Sequence, residues 1–172
     1  INDDDSTSSF LKPFHSEKLI NKKLKLNKIE NIKIETLDNY VEKHKINTID
    51  ILKIDVQGFE RDVLLGAKKT LKNIVKIVEL EIIFIDYYQK KSSFYELENI
   101  LYPLGFELFT VSSPVLKDKS YQLKWMDAIY ISKKFLIFFD YSYLILSLVS
   151  STNFLAISKD SPSVTLYFLV LS

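Results

Sequence analysis

Residues 49–66 read IDILKIDVQGFERDVLLG, and this stretch decides the fold. Its first half is a nearly continuous apolar run made of Ile49, Ile51, Leu52, Ile54 and Val56. Such a run predicts a strand of a parallel sheet that is covered on both faces. Gly58 then permits a tight turn, and the segment from Glu60 to Leu65 predicts a helix that Gly66 ends.

Asp55 lies near the carboxyl end of this strand, where ligands bind in open α/β sheets. The segment 55–58, DVQG, fits the DxxG element of GTPases, but the chain contains no GxxxxGK[ST] phosphate loop. A receiver domain fits poorly, because the acidic residues 3–5 follow no strand-like segment. Asp55 is therefore a candidate for chemistry, and the alternative is that it caps the following helix.

The composition limits the number of domains, the classes of partner and the metal or disulfide chemistry that the chain can have. A chain of 172 residues forms one core, so a single domain is the default. The 23 basic and 22 acidic residues leave a net charge of +1, which predicts no nucleic-acid partner. No cysteine is present, so disulfides and thiolate metal sites are excluded. His15 and His44 are isolated, and we expect no metal site from them.

Two further segments extend the α/β pattern. Alternation over residues 30–36 predicts a short half-buried strand, followed by a helix that Thr36 caps. Residues 74–85 predict the next buried strand, which carries Glu79 and Glu81. If that strand lies parallel and adjacent to the first, Asp55 and Glu81 line one cleft. The alternative is that the glutamates face solvent or bond local amides.

The carboxyl-terminal half is predicted from periodicity. Residues 94–104 carry apolar side chains at helical spacing, which predicts an amphipathic helix that ends at Gly105. Residues 106–112 and 124–132 predict two strands joined as a hairpin. A helix followed by a hairpin therefore completes the predicted sheet.

The strings LKIDVQGFE (52–60) and VLLGA (63–67) resemble the FkbM family of S-adenosylmethionine-dependent methyltransferases. Other elements follow the family's order at about its spacing. They are Ser8-Ser9-Phe10-Leu11, Thr36-Leu37-Asp38, Leu80-Glu81, Tyr88, Phe94, Leu101, Gly105-Phe106 and Asp127-Ala128. The resemblance covers roughly residues 5 to 134.

The resemblance implies an α/β fold: a partial Rossmann-like methyltransferase sheet, mostly parallel, with a carboxyl-terminal antiparallel hairpin and the first strands missing. It divides the chain into a truncated methyltransferase domain, 1–134, and an apolar tail, 135–172. In the family the cofactor lies on a glycine-rich turn, and the three glycines here, Gly58, Gly66 and Gly105, form no such loop. We therefore interpret the chain, which begins at Ile1, as a fragment of an enzyme and expect it to be inactive alone.

The resemblance also implies a chemistry, which is methyl transfer from S-adenosylmethionine to a hydroxyl of a small-molecule or glycan acceptor. Asp55 and Glu81 are the expected catalytic residues. Either removal of the hydroxyl proton or support of a divalent ion suits Asp55, and metal dependence stays open. Gln57, which replaces the Glu of many relatives, and Asp127 are expected near the cofactor. The alternative function is a non-catalytic α/β module for interaction or membrane tethering.

The tail departs in composition from everything before it. After residue 134, Lys159 is the only basic residue, and Phe, Leu, Ile, Tyr and Ser dominate. Residues 141–157 are uncharged but short and serine-rich for a membrane span, while residues 164–171 predict a strand. A translation artefact such as a frameshift is favoured over membrane contact through residues 135–157. The expected location is the cytoplasm.

Overall fold

The computed structural model describes residues 8–14, 28–29 and 31–136, together with the backbone of the strand at 165–169. The helices are α1 (Leu37–His44), α2 (Glu60–Leu65), α3 (Lys68–Asn73), α4 (Phe94–Leu101) and α5 (Lys133–Leu136). The strands are β1 (Ile49–Asp55), β2 (Val75–Ile83), β3 (Phe106–Leu116), β4 (Leu123–Ser132) and β5 (Thr165–Leu169). A 3-10 turn, Tyr102–Leu104, extends α4.

The strands form one mixed sheet in the order β3-β4-β2-β1-β5. Strand β1 pairs in parallel with both β2 and β5, whereas β4 pairs antiparallel with both β2 and β3. The expectation of a mostly parallel sheet is therefore not confirmed, because half of the pairings are antiparallel. The physical reason is the hairpin: β4 returns to the interior beside β2, and this reverses the direction of two pairings at once.

The first helix begins as its sequence predicts, but the strand expected before it is absent. The Thr36 hydroxyl accepts a hydrogen bond from the Asn39 amide, 3.3 Å away, which caps α1. Residues 31–36 have no regular secondary structure, and Ile32 and Ile34 are 61% and 68% exposed. The strand predicted for 30–36 is wrong over the described residues 31–36, because alternating residues form a strand only beside a partner, and no described strand pairs with this segment.

One face of the sheet packs against the helices. The buried leucines of the helices are Leu37, Leu64, Leu71, Leu97 and Leu101. They contact the inner face of β1, β2 and β4, which consists of Leu52, Ile54, Val78, Leu80, Ile82, Ala128 and Tyr130. Each fully buried apolar side chain stabilises the fold by roughly 1.5–3 kcal/mol. This cluster is the core of the described chain.

The opposite face of the sheet changes from apolar to charged along the strands. At the amino end of β2 it is apolar, with buried Ile77 packed against Ile129 and Ile131 of β4. Toward the carboxyl end of β1 and β2 it becomes charged. This charged end lies at the rim of the sheet where β1 delivers Asp55, so the fold itself separates the core from the candidate site.

No helix within the parts of the chain that the structure describes is long and apolar enough to cross a membrane. The uncharged segment 141–157, on which the prediction of membrane contact rests, lies outside those parts. Backbone pairing joins β5, a piece of the tail, to β1, which agrees with the strand predicted at 164–171.

Candidate functional site

The turn after β1 has an unusual backbone. Gln57 and Gly58 both adopt positive φ angles, 51° and 98°, which only glycine adopts without strain. The amide of Gly58 donates to Glu60 Oε1 (2.9 Å), and its carbonyl accepts from the amide and the hydroxyl of Ser92 (2.7 and 2.8 Å). Both Glu60 and Ser92 are buried. The turn is therefore held from inside the protein, and α2 has no side-chain cap, which excludes the capping role considered for Asp55.

Residues 8–14, which we call the amino-terminal strap, hold the same turn from the other side. The Ser9 hydroxyl donates to the Gln57 carbonyl (2.7 Å) and accepts from the Leu11 amide (3.0 Å). The rings of Phe10 and Phe59 lie 5.0 Å apart. Farther along, Pro13 and Tyr88 form an isolated antiparallel bridge. The strap thus joins the turn after β1 to the loop after β2.

The side chain of Gln57 connects the two carboxylates that the sequence predicts as catalytic. Its Nε2 donates to Asp55 Oδ1 and to Glu81 Oε2, both at 2.9 Å. Its Oε1 accepts a hydrogen bond from the Tyr88 hydroxyl at 3.1 Å. All of its amide groups are therefore used within the protein. Gln57 was expected near the cofactor, and the structure places it as a bridge between Asp55 and Glu81.

A third carboxylate lies in line with these two. Ile54 of β1 pairs with Leu80 of β2, so Asp55 and Glu81 follow side by side, and Glu81 pairs directly with Asp127 of β4. Paired residues lie on the same face of a sheet. Asp55, Glu81 and Asp127 therefore form a row across three strands, which we call the carboxylate row. The prediction that Asp55 and Glu81 lie together is confirmed, and Asp127 joins them.

Burial and mutual repulsion change the ionisation of this row. Burial, followed by the charges of Asp55 and Asp127, raises the pKa of Glu81 from 4.5 to about 8, while the hydrogen bond from Gln57 lowers it. Burial also raises the pKa of Asp127, although Lys53 opposes that change. Glu81 therefore exchanges its proton close to neutral pH rather than near pH 4.5.

An ion pair lies one step behind the row on the same face. Lys53 of β1 pairs with Glu79 of β2, and their side chains are 2.6 Å apart. Burial lowers the pKa of Lys53, but the hydrogen bond and charge of Glu79, with Asp127 and Asp55, outweigh this and raise it. A charged lysine therefore partly balances the row. Sequence reasoning missed Lys53, although its position two residues before Asp55 on a strand signals that both share a face.

Tyr88 also approaches the row. Its hydroxyl reaches Gln57, and burial together with the charges of Glu81 and Asp55 raises the pKa of the phenol, so it stays protonated and donates. No group of three or more His, Cys, Asp or Glu side chains is arranged to hold a metal ion among the residues that the structure describes. The row is therefore a hydrogen-bonding and charged surface, and its catalytic and cofactor-binding roles stay predictions.

Comparison with protein families assigns the chain. The family model for the FkbM methyltransferase domain matches residues 2–108, which include β1, β2, the strap and the turn that carries Gln57. The chain belongs to the FkbM methyltransferase family. No curated protein and no solved structure matches it.

The family match ends within β3, before the limit near residue 134 that the resemblance suggested. Asp55, Gln57 and Glu81 lie inside the matched range, whereas Asp127 lies beyond it. The assignment of Asp127 to the site therefore depends on its pairing with Glu81 rather than on the family match.

FkbM methyltransferases as a class imply S-adenosylmethionine as methyl donor. The carboxylate row fits the positive charge of a sulfonium, because three acidic side chains face one rim and Lys53 balances them only in part. The adenosine and amino-acid parts have no glycine-rich loop in this sequence, whose three glycines lie at 58, 66 and 105. Among the described residues, the row therefore offers groups suited to the reactive end of the donor.

Proposed function

We propose that this protein transfers a methyl group from S-adenosylmethionine to a hydroxyl of a sugar or other small molecule. The observation that carries the proposal is that one amide, Nε2 of Gln57, holds the carboxylates of Asp55 and Glu81 at the carboxyl rim of two neighbouring parallel strands. That rim is where α/β sheets bind ligands.

Methyl transfer to a hydroxyl is an in-line displacement in which the acceptor oxygen attacks the methyl carbon and loses its proton. When bound, S-adenosylmethionine supplies the methyl group and a leaving thioether. The chain must then orient the acceptor and receive the proton.

Glu81 is suited to receive that proton. A general base works best when its pKa is close to the working pH, and the pKa of Glu81 is raised to about 8. Asp55 contributes through its charge, which is one cause of the raised value. Gln57 then fixes both carboxylates in place.

Asp127 is the side chain proposed to face the cofactor. It lies at the end of the row away from Asp55, so its charge adds to the negative potential at the position of a sulfonium. We expect this chain alone to bind the cofactor weakly and to be inactive, because it contributes no glycine-rich loop for the rest of that molecule.

Titration calorimetry tests the proposal with two proteins, the 172-residue chain and the same chain extended at its amino terminus by the glycine-rich cofactor segment of an FkbM methyltransferase. The extended protein should bind S-adenosylmethionine and transfer a labelled methyl group to a hydroxylated acceptor, and Glu81→Gln should abolish transfer while leaving cofactor binding within about two-fold. An extended protein that binds no cofactor would refute the proposal and leave the non-catalytic interaction module as the function.

A further inference from the structure

The rings of Trp125 and Tyr87 lie beside the carboxylate row. Trp125 of β4 pairs with Ile83, two residues along the strand from the pair of Asp127 and Glu81. Residues two apart on a strand share a face and are separated by roughly 7 Å. Trp125 therefore lies on the face of the row, one step beyond Asp127.

The second ring comes from the loop after β2. The ring centroids of Tyr87 and Trp125 are 6.0 Å apart, with the planes inclined by 49°. Both side chains are half-buried, so each keeps part of its ring exposed to solvent. Lys124 places its ammonium 4.5 Å from the centre of the Trp125 ring. We call Trp125 and Tyr87 the aromatic shelf.

The position of the shelf follows from contacts that also build the site. Tyr87 precedes Tyr88, whose hydroxyl donates to Gln57. The Tyr87 carbonyl accepts a hydrogen bond from the amide of Phe14 in the strap (2.8 Å). The Phe84 amide in turn donates to the carbonyl of Lys124 (2.8 Å). The shelf is thus tied by backbone bonds to the same strands and loops that hold the row.

The chemistry of the two surfaces is complementary to one class of molecule. Carboxylates accept hydrogen bonds from hydroxyl groups, and partly exposed aromatic rings bind the apolar C–H face of a pyranose. A row of three carboxylates repels an acceptor that itself carries a carboxylate or phosphate. Simple linear alcohols satisfy only one of the two surfaces.

We infer that the aromatic shelf is the subsite that binds the acceptor, and that the acceptor is an uncharged sugar ring or an amino sugar ring. The ring lies on Trp125 and Tyr87 and directs one hydroxyl toward Asp55 and Glu81. This inference depends on the proposed function, because it names the acceptor of that same site.

The experiment uses the 172-residue chain and needs no methyl donor. Trp125 is the only tryptophan, so its fluorescence reports on the shelf alone. The chain is titrated with methyl pyranosides of several configurations, with the matching uronic acids, and with a linear polyol. Ring protons are followed in parallel by saturation-transfer NMR, which detects weak binding. Pyranosides should change the emission saturably, the uronic acids should bind at least about ten-fold more weakly, and the polyol should show no saturation.

A pair of variants separates the shelf from a general effect of aromatic residues. Tyr87→Leu should weaken pyranoside binding about ten-fold, which corresponds to the loss of one aromatic contact. Tyr95→Leu is the matched control, because Tyr95 is 79% exposed on α4 and lies in no contact described for the site. Circular dichroism establishes that both variants are folded.

Three results overturn the inference: no pyranoside binds saturably, uronic acids bind as well as neutral sugars, or Tyr87→Leu binds like the parent chain. The proposed function fails independently. If the extended chain binds S-adenosylmethionine and methylates a hydroxyl of a compound that is not a sugar, the acceptor inference is lost and the methyltransferase stands. If sugars bind but no cofactor does, the methyltransferase proposal is lost, and the shelf remains a sugar-binding surface.

Discussion

Replacement of Gln57 by leucine removes the link between the two carboxylates while leaving the backbone requirement unchanged. Leucine, like glutamine, has an unbranched Cβ and is strained by the positive φ angle, so the variant removes the amide group without changing the backbone requirement. Three hydrogen bonds are lost, two donated to Asp55 and Glu81 and one accepted from Tyr88.

The magnitude follows from the role of the amide at Glu81. Its hydrogen bond favours the ionised form and so lowers the pKa of Glu81. A hydrogen bond to a charged group contributes roughly 1.5–3 kcal/mol, and about 1.4 kcal/mol corresponds to one pKa unit. Because the side chain is only part-buried, we take the lower end. The pKa of Glu81 should therefore rise by about one unit in Gln57→Leu.

The measurement is a titration of the side-chain carboxyl carbons in protein labelled at glutamate, over the range from acid to about pH 10. Glu81→Gln assigns the signal by deleting it. Gln122→Leu is the matched control, because Gln122 is exposed in the β3–β4 connection and does not belong to the row. In the extended, active protein, the acidic limb of the pH–rate profile, where the rate rises as Glu81 ionises, should move to higher pH by the same amount.

A folded Gln57→Leu protein in which the titration midpoint of Glu81 is unchanged or lower would contradict this prediction. That result would mean that the amide does not stabilise the ionised form, and that burial alone sets the behaviour of the row. Thermal unfolding of the variant, monitored by circular dichroism, separates this case from a general loss of structure.

Three further outcomes are expected. Glu81 has a pKa of about 8 in the folded protein against an ordinary 4.5, so between these two pH values the folded protein holds a proton that the unfolded chain has released. The free energy of unfolding should therefore fall as the pH rises from about 4.5 to about 8. In urea unfolding, Glu81→Gln should flatten this dependence on pH. Gly58→Ala should lower the unfolding free energy by at least about 1 kcal/mol, because its φ is 98° and a Cβ would lie 3.1 Å from Lys91 Cβ; an unchanged midpoint of unfolding would contradict this. Ser93→Ala removes the capping box at α4 and should cost about 1 kcal/mol, measured the same way, with Ser120→Ala on the hairpin connection as control.

The regular elements could be predicted because their local patterns agree with their environment. The apolar run before Asp55 became β1, the helical spacing after residue 94 became α4, and the paired strand segments became a hairpin. Adjacency of Asp55 and Glu81 could also be predicted, since consecutive parallel strands joined by helices usually lie side by side. These features need only local pattern and one rule of topology.

Other features depend on contacts that no local pattern records. Residues 31–36 alternate like a strand, yet strand formation requires a partner. The direction of β4 depends on which edge the hairpin joins, so the balance of parallel and antiparallel pairs was not fixed by periodicity. The left-handed backbone at Gln57 had no signal either, because glutamine is not a residue that favours it.

The position of Trp125 was open to prediction and was missed. The rule that alternate strand residues share a face places Trp125 with Asp127, just as it places Glu79 with Glu81. What the sequence lacked was the register that sets Asp127 beside Glu81, and this is a property of the pairing between β2 and β4, which are separated in the chain by α4 and β3.

The positive φ angle of Gln57 implies a conflict between folding and activity. A side chain in this conformation costs roughly 1–2 kcal/mol, so glycine at position 57 would relieve the backbone. The same change would release both acids from their common anchor. Screens that select only for thermal tolerance should therefore enrich glycine at this position and yield inert proteins, whereas selection for turnover should keep an amide there in spite of its cost.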